Sequence, residues 1–156
     1  MKKVVGIGEM IISNNIEDSI KTFALASCVA VVVYSPLKKI GGMIHIALPN
    51  PPSNEDKIMR KCYYASTGVP HLINTMCNSY GCIKEELKIS LYGGANSIRI
   101  DDVFNIGRKN LDIIKKILNQ NNLRFTDVET GKNVSRTIEL NMLTGEVTVS
   151  CQQIKI

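Results

Sequence analysis

The feature that most constrains this chain is a pair of apolar, β-branched segments separated by a short turn. Residues 28–34 are CVAVVVY and residues 40–48 are IGGMIHIAL, with the sequence SPLK following the first segment. β-Branched residues favour strands, and Pro36 cannot continue a central strand because it has no N–H to donate. The pattern predicts a β-hairpin whose loop is residues 35–38.

The size and composition of the chain fit one compact domain. It has 156 residues, of which 44% are hydrophobic, enough to close a single core. We therefore expect residues 1–156 to form one domain. There is no apolar run of about eighteen residues, and the segment MKKVVGIGEM has no stretch of signal-peptide length. We expect a cytoplasmic protein without direct membrane insertion.

Cysteine spacing and charge limit the classes of partner. The five cysteines form no C-x-x-C pair and only two histidines are present, so we expect reduced thiols and no metal site. The net charge of +5 favours acidic partners. Basic residues are nevertheless spread along the chain between acidic ones, and only five tyrosines and three phenylalanines accompany them. We therefore expect no nucleic-acid binding.

The remaining segments predict strands around two helices. Helical spacing of apolar residues begins at Val69 and, in a second segment, at Leu111, while residues 49–56 have the composition of a surface loop. Segments that favour strands lie near residues 3–13, 20–25 and 87–93 and in the C-terminal third. The predicted fold is an α/β sandwich of mostly antiparallel or mixed β-sheet with two main helices.

The hairpin brings a cysteine and a histidine together. With residues 35–38 as the loop, Tyr34 opposes Lys39 and Cys28 lies directly opposite His45. The Cβ atoms of directly opposed residues are roughly 4.5–5.5 Å apart, which lets a thiol reach an imidazole. The two side chains share the less apolar face of the hairpin. A bulge at Gly41 would instead shift the pairing and turn His45 to the other face.

A cysteine beside a histidine can perform acyl transfer. The imidazole takes the thiol proton, the thiolate attacks a carbonyl, and an amide is cleaved through a thioester. Thr22 could orient the imidazole if the chain reverses direction at the small residues that follow it; otherwise it is a strand threonine on a solvated face. Alternatively, Cys28 is a small hydrophobic residue of the core, and His45 is a structural residue in the core or at its rim.

A glycine-containing segment after another predicted strand adds candidates for substrate binding. Residues 92–96, YGGAN, could bring backbone N–H groups to a developing oxyanion, or could simply end the strand tightly. The backbone N–H of Cys28 is a second oxyanion candidate, and Asn96 ranks below Thr22 as a group that orients His45. The candidate substrate- or oxyanion-binding residues are Ser27, Gly93, Gly94 and Asn96.

Several motifs together resemble CheD, the family of chemoreceptor glutamine deamidases. They are GIGEM, TFALASCVAV, GGMIHIALP, YYAS, YGGAN, NIGRKN and LNMLTGEVTV, in the family's order and approximate spacing. The resemblance implies that Cys28 is the nucleophile, His45 the general base and Thr22 the orienting residue. It implies hydrolysis of receptor glutamine side chains to glutamate with release of ammonia, a related hydrolysis of glutamyl methyl esters, and no cofactor. The implied partners are chemoreceptors, which are methyl-accepting chemotaxis proteins, and the CheC phosphatase.

The chain departs from the family pattern just before Cys28. Residues 24–28 are ALASC where family members commonly have glycines, and alanine at a positive φ carries strain that glycine avoids. Residues 129–136, ETGKNVSR, keep Gly131 and Arg136 but lack a double glycine. Two other functions stay open: a non-catalytic adaptor that binds CheC or receptor helices, and a redox sensor whose Cys28 becomes sulfenylated.

Overall fold

The computed structural model describes residues 1–96 and 104–154. Its β-strands are β1 (Lys2–Val4), β2 (Met10–Ser13), β3 (Ser19–Leu25), β4 (Val29–Ser35), β5 (Ile40–Ile46), β6 (Lys88–Gly93), β7 (Thr126–Thr130), β8 (Val134–Asn141) and β9 (Val147–Gln153). Its α-helices are α1 (Asn54–Met59), α2 (Ala65–Asn78) and α3 (Ile106–Gln120), and single 3₁₀ turns occupy Lys61–Tyr63 and Lys84–Glu86.

The strands form two sheets. One sheet has four strands in the order β1-β3-β8-β9, and the other has five in the order β2-β5-β4-β6-β7. The pairs β1–β3 and β6–β7 are parallel, and the other strand pairs are antiparallel. The sequence-based prediction of a mostly antiparallel α/β sandwich is confirmed, with α2 and α3 as the two long helices.

The five-stranded sheet lies in the middle of three layers. Odd-numbered residues of β4, such as Val31, pack with α2 and α3 in one hydrophobic cluster. Even-numbered residues, such as Val32, pack with Ile138 and Leu140 of the four-stranded sheet in a second cluster. Every residue of β4 and β5 is buried, as expected for central strands covered on both faces. Neither face of the hairpin is therefore solvated.

The predicted hairpin register is wrong by two residues. β4 continues through Ser35, which pairs with Ile40, so the loop is residues 36–39 and Ala30, not Cys28, lies opposite His45. Across the turn, the Ser35 carbonyl accepts from the Lys39 N–H at 2.8 Å, and Lys39 takes a positive φ of 54°. Since the shift is even, each residue keeps its predicted face.

The predicted surface loop at residues 49–56 is shorter than expected. α1 begins at Asn54, and the Ser53 hydroxyl caps it by accepting from the Asp56 N–H. Serine at this position satisfies an otherwise unpaired donor of the first turn.

The described residues contain no helix with the length and apolar character needed to cross a lipid bilayer. In the same residues, no group of three or more His, Cys, Asp or Glu side chains is arranged to hold a metal ion.

Candidate functional site

A hydrogen bond between the two sheets orients His45. Thr22, on β3 of the four-stranded sheet, places its hydroxyl oxygen 2.7 Å from Nδ1 of His45, on β5 of the five-stranded sheet. The same hydroxyl donates its single hydrogen to the Val5 carbonyl at 2.7 Å. It can therefore only accept from His45, so Nδ1 carries a proton and Nε2 presents its lone pair. Thr22 is fully buried, so the alternative of a strand threonine on a solvated face is wrong.

The other ring nitrogen of His45 is available as a base. Nε2 is buried and has no hydrogen-bond partner among the described residues. Burial disfavours the imidazolium and lowers the pKa of His45 to about 4. The imidazole is thus neutral at physiological pH, with an unshared electron pair on the nitrogen that Thr22 does not contact.

Cys28 lies immediately before β4, on the same side of the sheet as His45. Because Ala30 pairs with His45, Cys28 is diagonal to it, an arrangement that separates Cα atoms by roughly 7–8 Å. The cysteine is partly exposed and packs against the cluster between the sheets. These two side chains make no hydrogen bond with each other in this structure, so the pair is adjacent rather than in contact.

The thiol of Cys28 is protonated at rest. Burial raises its pKa, and the backbone N–H of Cys28 beside the sulfur opposes that effect only in part. A raised thiol pKa and a lowered imidazole pKa make the neutral pair the resting form. A thiolate at Cys28 therefore forms only when a base, such as the neutral Nε2, takes the thiol proton.

The chain passes from the four-stranded sheet to the five-stranded sheet between Thr22 and Cys28. The pairing of β3 with β8 is irregular between Thr22 and Leu25, and Ala24 within this bulge has a φ of 54°. The Ala24 N–H donates to the Thr137 hydroxyl at 3.1 Å. β3 resumes its pairing with β8 at Leu25, so the bulge bends the strand without ending the pairing, and the chain then crosses to β4 in the other sheet.

The segment YGGAN holds the backbone around Cys28. The Gly94 N–H donates to the Cys28 carbonyl at 2.9 Å, and the Ala95 N–H donates to the Ala26 carbonyl at 2.7 Å. Gly93 has a φ of 99°, and a Cβ there would collide with the Cys28 carbonyl. Close approach of the two backbones thus requires glycine at 93.

These hydrogen bonds bear on the predicted oxyanion donors. The N–H groups of Gly94 and Asn96 are engaged, the latter with the Lys132 carbonyl at 2.7 Å, and they give the oxyanion role no support. Ser27 precedes Cys28, and its carbonyl accepts a side-chain hydrogen bond. The Cys28 N–H lies beside its own sulfur, where an oxyanion would form. The roles of Ser27, Gly93, Gly94 and Asn96 toward substrate stay predictions.

Comparison with known sequences decides the family. Residues 47–151 match the family model described as CheD chemotactic sensory transduction. A probable chemoreceptor glutamine deamidase CheD of Syntrophotalea carbinolica is 40% identical over 154 residues, covering 95% of this chain and 93% of the relative. The chain belongs to the CheD family. A probable chemoreceptor glutamine deamidase CheD 1 of Syntrophus aciditrophicus is 36% identical and covers 94% of this chain and 91% of the relative. The chemoreceptor glutamine deamidase CheD of Thermotoga maritima is also 36% identical and covers 96% of this chain and 91% of the relative.

A solved structure of low sequence identity shares the fold of this CheD protein. The crystal structure of the Bacillus licheniformis hypothetical protein YfiH superposes with a TM-score of 0.51 at 7% identity, covering 78% of this chain and 51% of that chain. At this identity the likeness concerns the fold alone.

Sequence reasoning missed one polar residue of this CheD site. Asn110, on α3, is fully buried and donates from Nδ2 to the carbonyls of Ser27 and Ala47, each at 3.1 Å. The motif NIGRKN, residues 105–110, contributes to the resemblance to CheD, but no site residue was predicted in it. The helical spacing of the sequence could have identified Asn110, because it lies within the buried stripe of α3 formed by Gly107, Leu111, Ile114 and Leu118. A polar side chain in such a stripe requires buried partners.

Proposed function

We propose that this protein is a chemoreceptor glutamine deamidase, a cysteine hydrolase that converts receptor glutamine side chains to glutamate and releases ammonia. Cys28 is the nucleophile, His45 the general base and Thr22 the residue that orients His45. The observation that carries the proposal is the hydrogen bond from His45 Nδ1 to the Thr22 hydroxyl, which leaves Nε2 unpartnered beside a partly exposed cysteine. Family membership supports the same activity, since the relatives compared above carry the deamidase name.

The first half-reaction forms a thioester. His45 Nε2 accepts the thiol proton as the Cys28 sulfur attacks the side-chain amide carbon of glutamine. The Cys28 N–H is the candidate donor to the resulting oxyanion. His45 then gives its proton to the amide nitrogen, the C–N bond breaks, and ammonia leaves.

The second half-reaction restores the enzyme. Water gives a proton to Nε2 and attacks the thioester carbon. The C–S bond breaks, the sulfur recovers its proton from His45, and the product is glutamate. A neutral His45 is the state required at the start of each half-reaction, because Nε2 must be able to accept a proton, first from the Cys28 thiol and then from water. A pKa of about 4 for His45 keeps it in that state at physiological pH.

The proposed partners follow from the same assignment. The substrate is a side chain presented by the chemoreceptor, a macromolecule, so binding contacts lie on the surface around Cys28. The net charge of +5 favours approach to acidic partner surfaces. We further propose a cytoplasmic location, action of the 156 residues as one domain, and binding of the CheC phosphatase.

The activity is tested by incubating the protein with chemoreceptor fragments and measuring Gln-to-Glu conversion by mass spectrometry. Cys28→Ala and His45→Ala are expected to abolish conversion while retaining the wild-type circular dichroism spectrum. Cys151→Ala is the matched control, because Cys151 is an exposed cysteine on β9 and conversion should be unaffected.

Absence of conversion by the wild-type protein, with receptor binding retained, would contradict the deamidase and identify a non-catalytic adaptor. Conversion that persists in Cys28→Ala would contradict the assigned nucleophile.

A further inference from the structure

We propose that Asn110 is a positioning residue that sets the separation between the nucleophile loop and the strand that carries the base. Its side chain contacts neither Cys28 nor His45 by a hydrogen bond. It instead binds the backbone next to each of them, through Ser27, which directly precedes Cys28, and Ala47, two residues after His45.

The hydrogen bonds of Asn110 define one arrangement of its amide group. The Nδ2 group has two hydrogens, and the carbonyls of Ser27 and Ala47 accept one each at 3.1 Å. Its Oδ1 is buried and has no hydrogen-bond partner among the described residues. A single nitrogen therefore joins the two segments, and the distance between their carbonyl oxygens is limited to what that nitrogen can span.

The carbonyl bound by Asn110 is the middle one of three that are held in succession. Ala26 and Cys28 accept from Ala95 and Gly94, and Ser27 accepts from Asn110. The first two bonds attach the loop to the residues that follow β6. The third attaches it to the Ala47 carbonyl, just after β5, one position beyond the backbone pairing of Val29 with Ile46. The side chain of Asn110 thus binds both the segment that contains Cys28 and the segment that follows the His45 strand.

The position of α3 makes this contact rigid. Gly107, one turn before Asn110, lies so close to the Gly94 and Ala95 carbonyls that a Cβ would overlap them. The side chain of Leu111, which follows Asn110, lies so close to Gly94 that a Cβ at Gly94 would overlap it. The helix is therefore pressed against the same loop that binds the Cys28 carbonyl, which leaves Asn110 little freedom to move away from its two acceptors.

The kinetic part of the test rests on the proposed deamidase function. Asn110→Asp keeps the size of the side chain but replaces the donating group with an oxygen that repels both carbonyls. We expect kcat for receptor-fragment deamidation to fall by about 10²-fold with KM little changed, the effect of misplacing reacting groups by about 1 Å. Asn119→Asp is the matched control, because Asn119 is an exposed residue of the same helix.

A second measurement does not depend on deamidase activity. Iodoacetamide alkylation is followed at each cysteine by peptide mass spectrometry in the full-length protein. In Asn110→Asp the rate at Cys28 should rise about tenfold, since loss of a hydrogen bond to a buried carbonyl shifts the opening of that loop by about this factor. The buried Cys82 and the exposed Cys151 should keep their wild-type rates.

Faster alkylation of Cys28 combined with slower deamidation is the result that supports a positioning role. A Cys28 rate that does not rise relative to that of Cys82 would overturn it, since parallel changes mean general loosening of the core. If Asn110→Asp does not fold, Asn110→Ser decides the question by the same ratio, because one hydroxyl can donate to only one of the two carbonyls. If wild type does not deamidate receptor fragments, the proposed function fails and the alkylation ratio still tests Asn110.

Discussion

At the scale of single residues, the threonine hydroxyl determines which nitrogen of His45 can act as a base. Thr22 has one hydrogen to donate, and the Val5 carbonyl receives it, so His45 Nδ1 must be the protonated nitrogen. The acceptor for a thiol proton is then Nε2. A residue without charge thereby performs the orienting role that a carboxylate performs in many triads.

Replacement of Thr22 by valine tests this role. Thr22→Val removes the acceptor for Nδ1–H while nearly preserving shape, so both tautomers of His45 become accessible and kcat should fall by about 10²-fold. ¹⁵N NMR of His45 should show the loss of the single tautomer. Thr148→Val, at an exposed position of β9, is the control and should keep both properties. An unchanged kcat with a mixed tautomer would contradict the assigned orientation.

Backbone strain at Ala24 gives a second residue-level prediction. Ala24 has a φ of 54°, a conformation that is unfavourable for residues with a Cβ. Ala24→Gly should therefore raise the free energy of unfolding by about 1 kcal/mol, measured by urea denaturation. Ala26→Gly is the contrasting variant, because Ala26 is not among the residues with positive φ and glycine there should lower stability. Equal effects of the two substitutions would argue against strain at Ala24.

At the scale of elements, the strands of the hairpin were predictable from β-branched residues, whereas their register was not. The alternation of Val31 and Val32 between two cores follows from the period of a strand. The loop boundary depended on Ser35, a polar residue that the sequence places with the turn. In the structure Ser35 is fully buried and its hydroxyl binds the Glu86 carboxylate. That long-range partner is absent from any local pattern, and it extends β4 by one residue.

The end of β6 supports the backbone of the segment that contains Cys28. Gly93→Ala would place a Cβ against the Cys28 carbonyl at a φ of 99°, so we expect displacement of Cys28 and a fall in kcat of about tenfold or more. Gly131→Ala is the matched control: its φ is 72°, but a Cβ there has no atom within 4 Å. It should cost about 1 kcal/mol of stability and leave kcat unchanged. Similar kcat losses in both variants would indicate strain alone.

At the scale of the whole molecule, buried ionisable groups make stability depend on pH. His45 has a pKa of about 4 in the folded state against 6.5 when unfolded, so between these values only the unfolded chain binds the proton. The free energy of unfolding should fall by about 3 kcal/mol as pH decreases from 6.5 to 4. His71, whose pKa burial also lowers, acts in the same direction.

Asp18 extends this acid sensitivity to lower pH. Hydrogen bonds from Ser13 and Lys3 lower its pKa from 3.8 to about 2, so stability is lost further as pH falls through that interval. Urea denaturation at a series of pH values checks both windows. His45→Gln should flatten the decline between pH 6.5 and 4, and Asp18→Asn the decline below pH 3.8. An unaltered slope in His45→Gln would contradict a buried neutral imidazole.

The layered architecture explains how far sequence could define the site. The shared face of Cys28 and His45 was predictable from the period of the strands, and the contact of Thr22 with His45 was one of two predicted alternatives. The division of the nine described strands into two sheets could not be predicted, because β3 and β8 pair across more than a hundred residues and no local sequence pattern indicates that pairing. Asn110 was missed for the same reason: its acceptors are backbone carbonyls 83 and 63 positions away.

The bond between Thr22 and His45 joins residues from two different sheets. Turnover is consequently sensitive to how the layers are aligned, beyond whether each has formed. Sliding one layer across the other by about 1 Å would leave every ladder intact and far-ultraviolet spectra unchanged, yet would deprive the imidazole of its fixed tautomer. Substitutions in the inter-sheet core far from Cys28 can therefore silence catalysis in a protein that still passes conventional tests of folding.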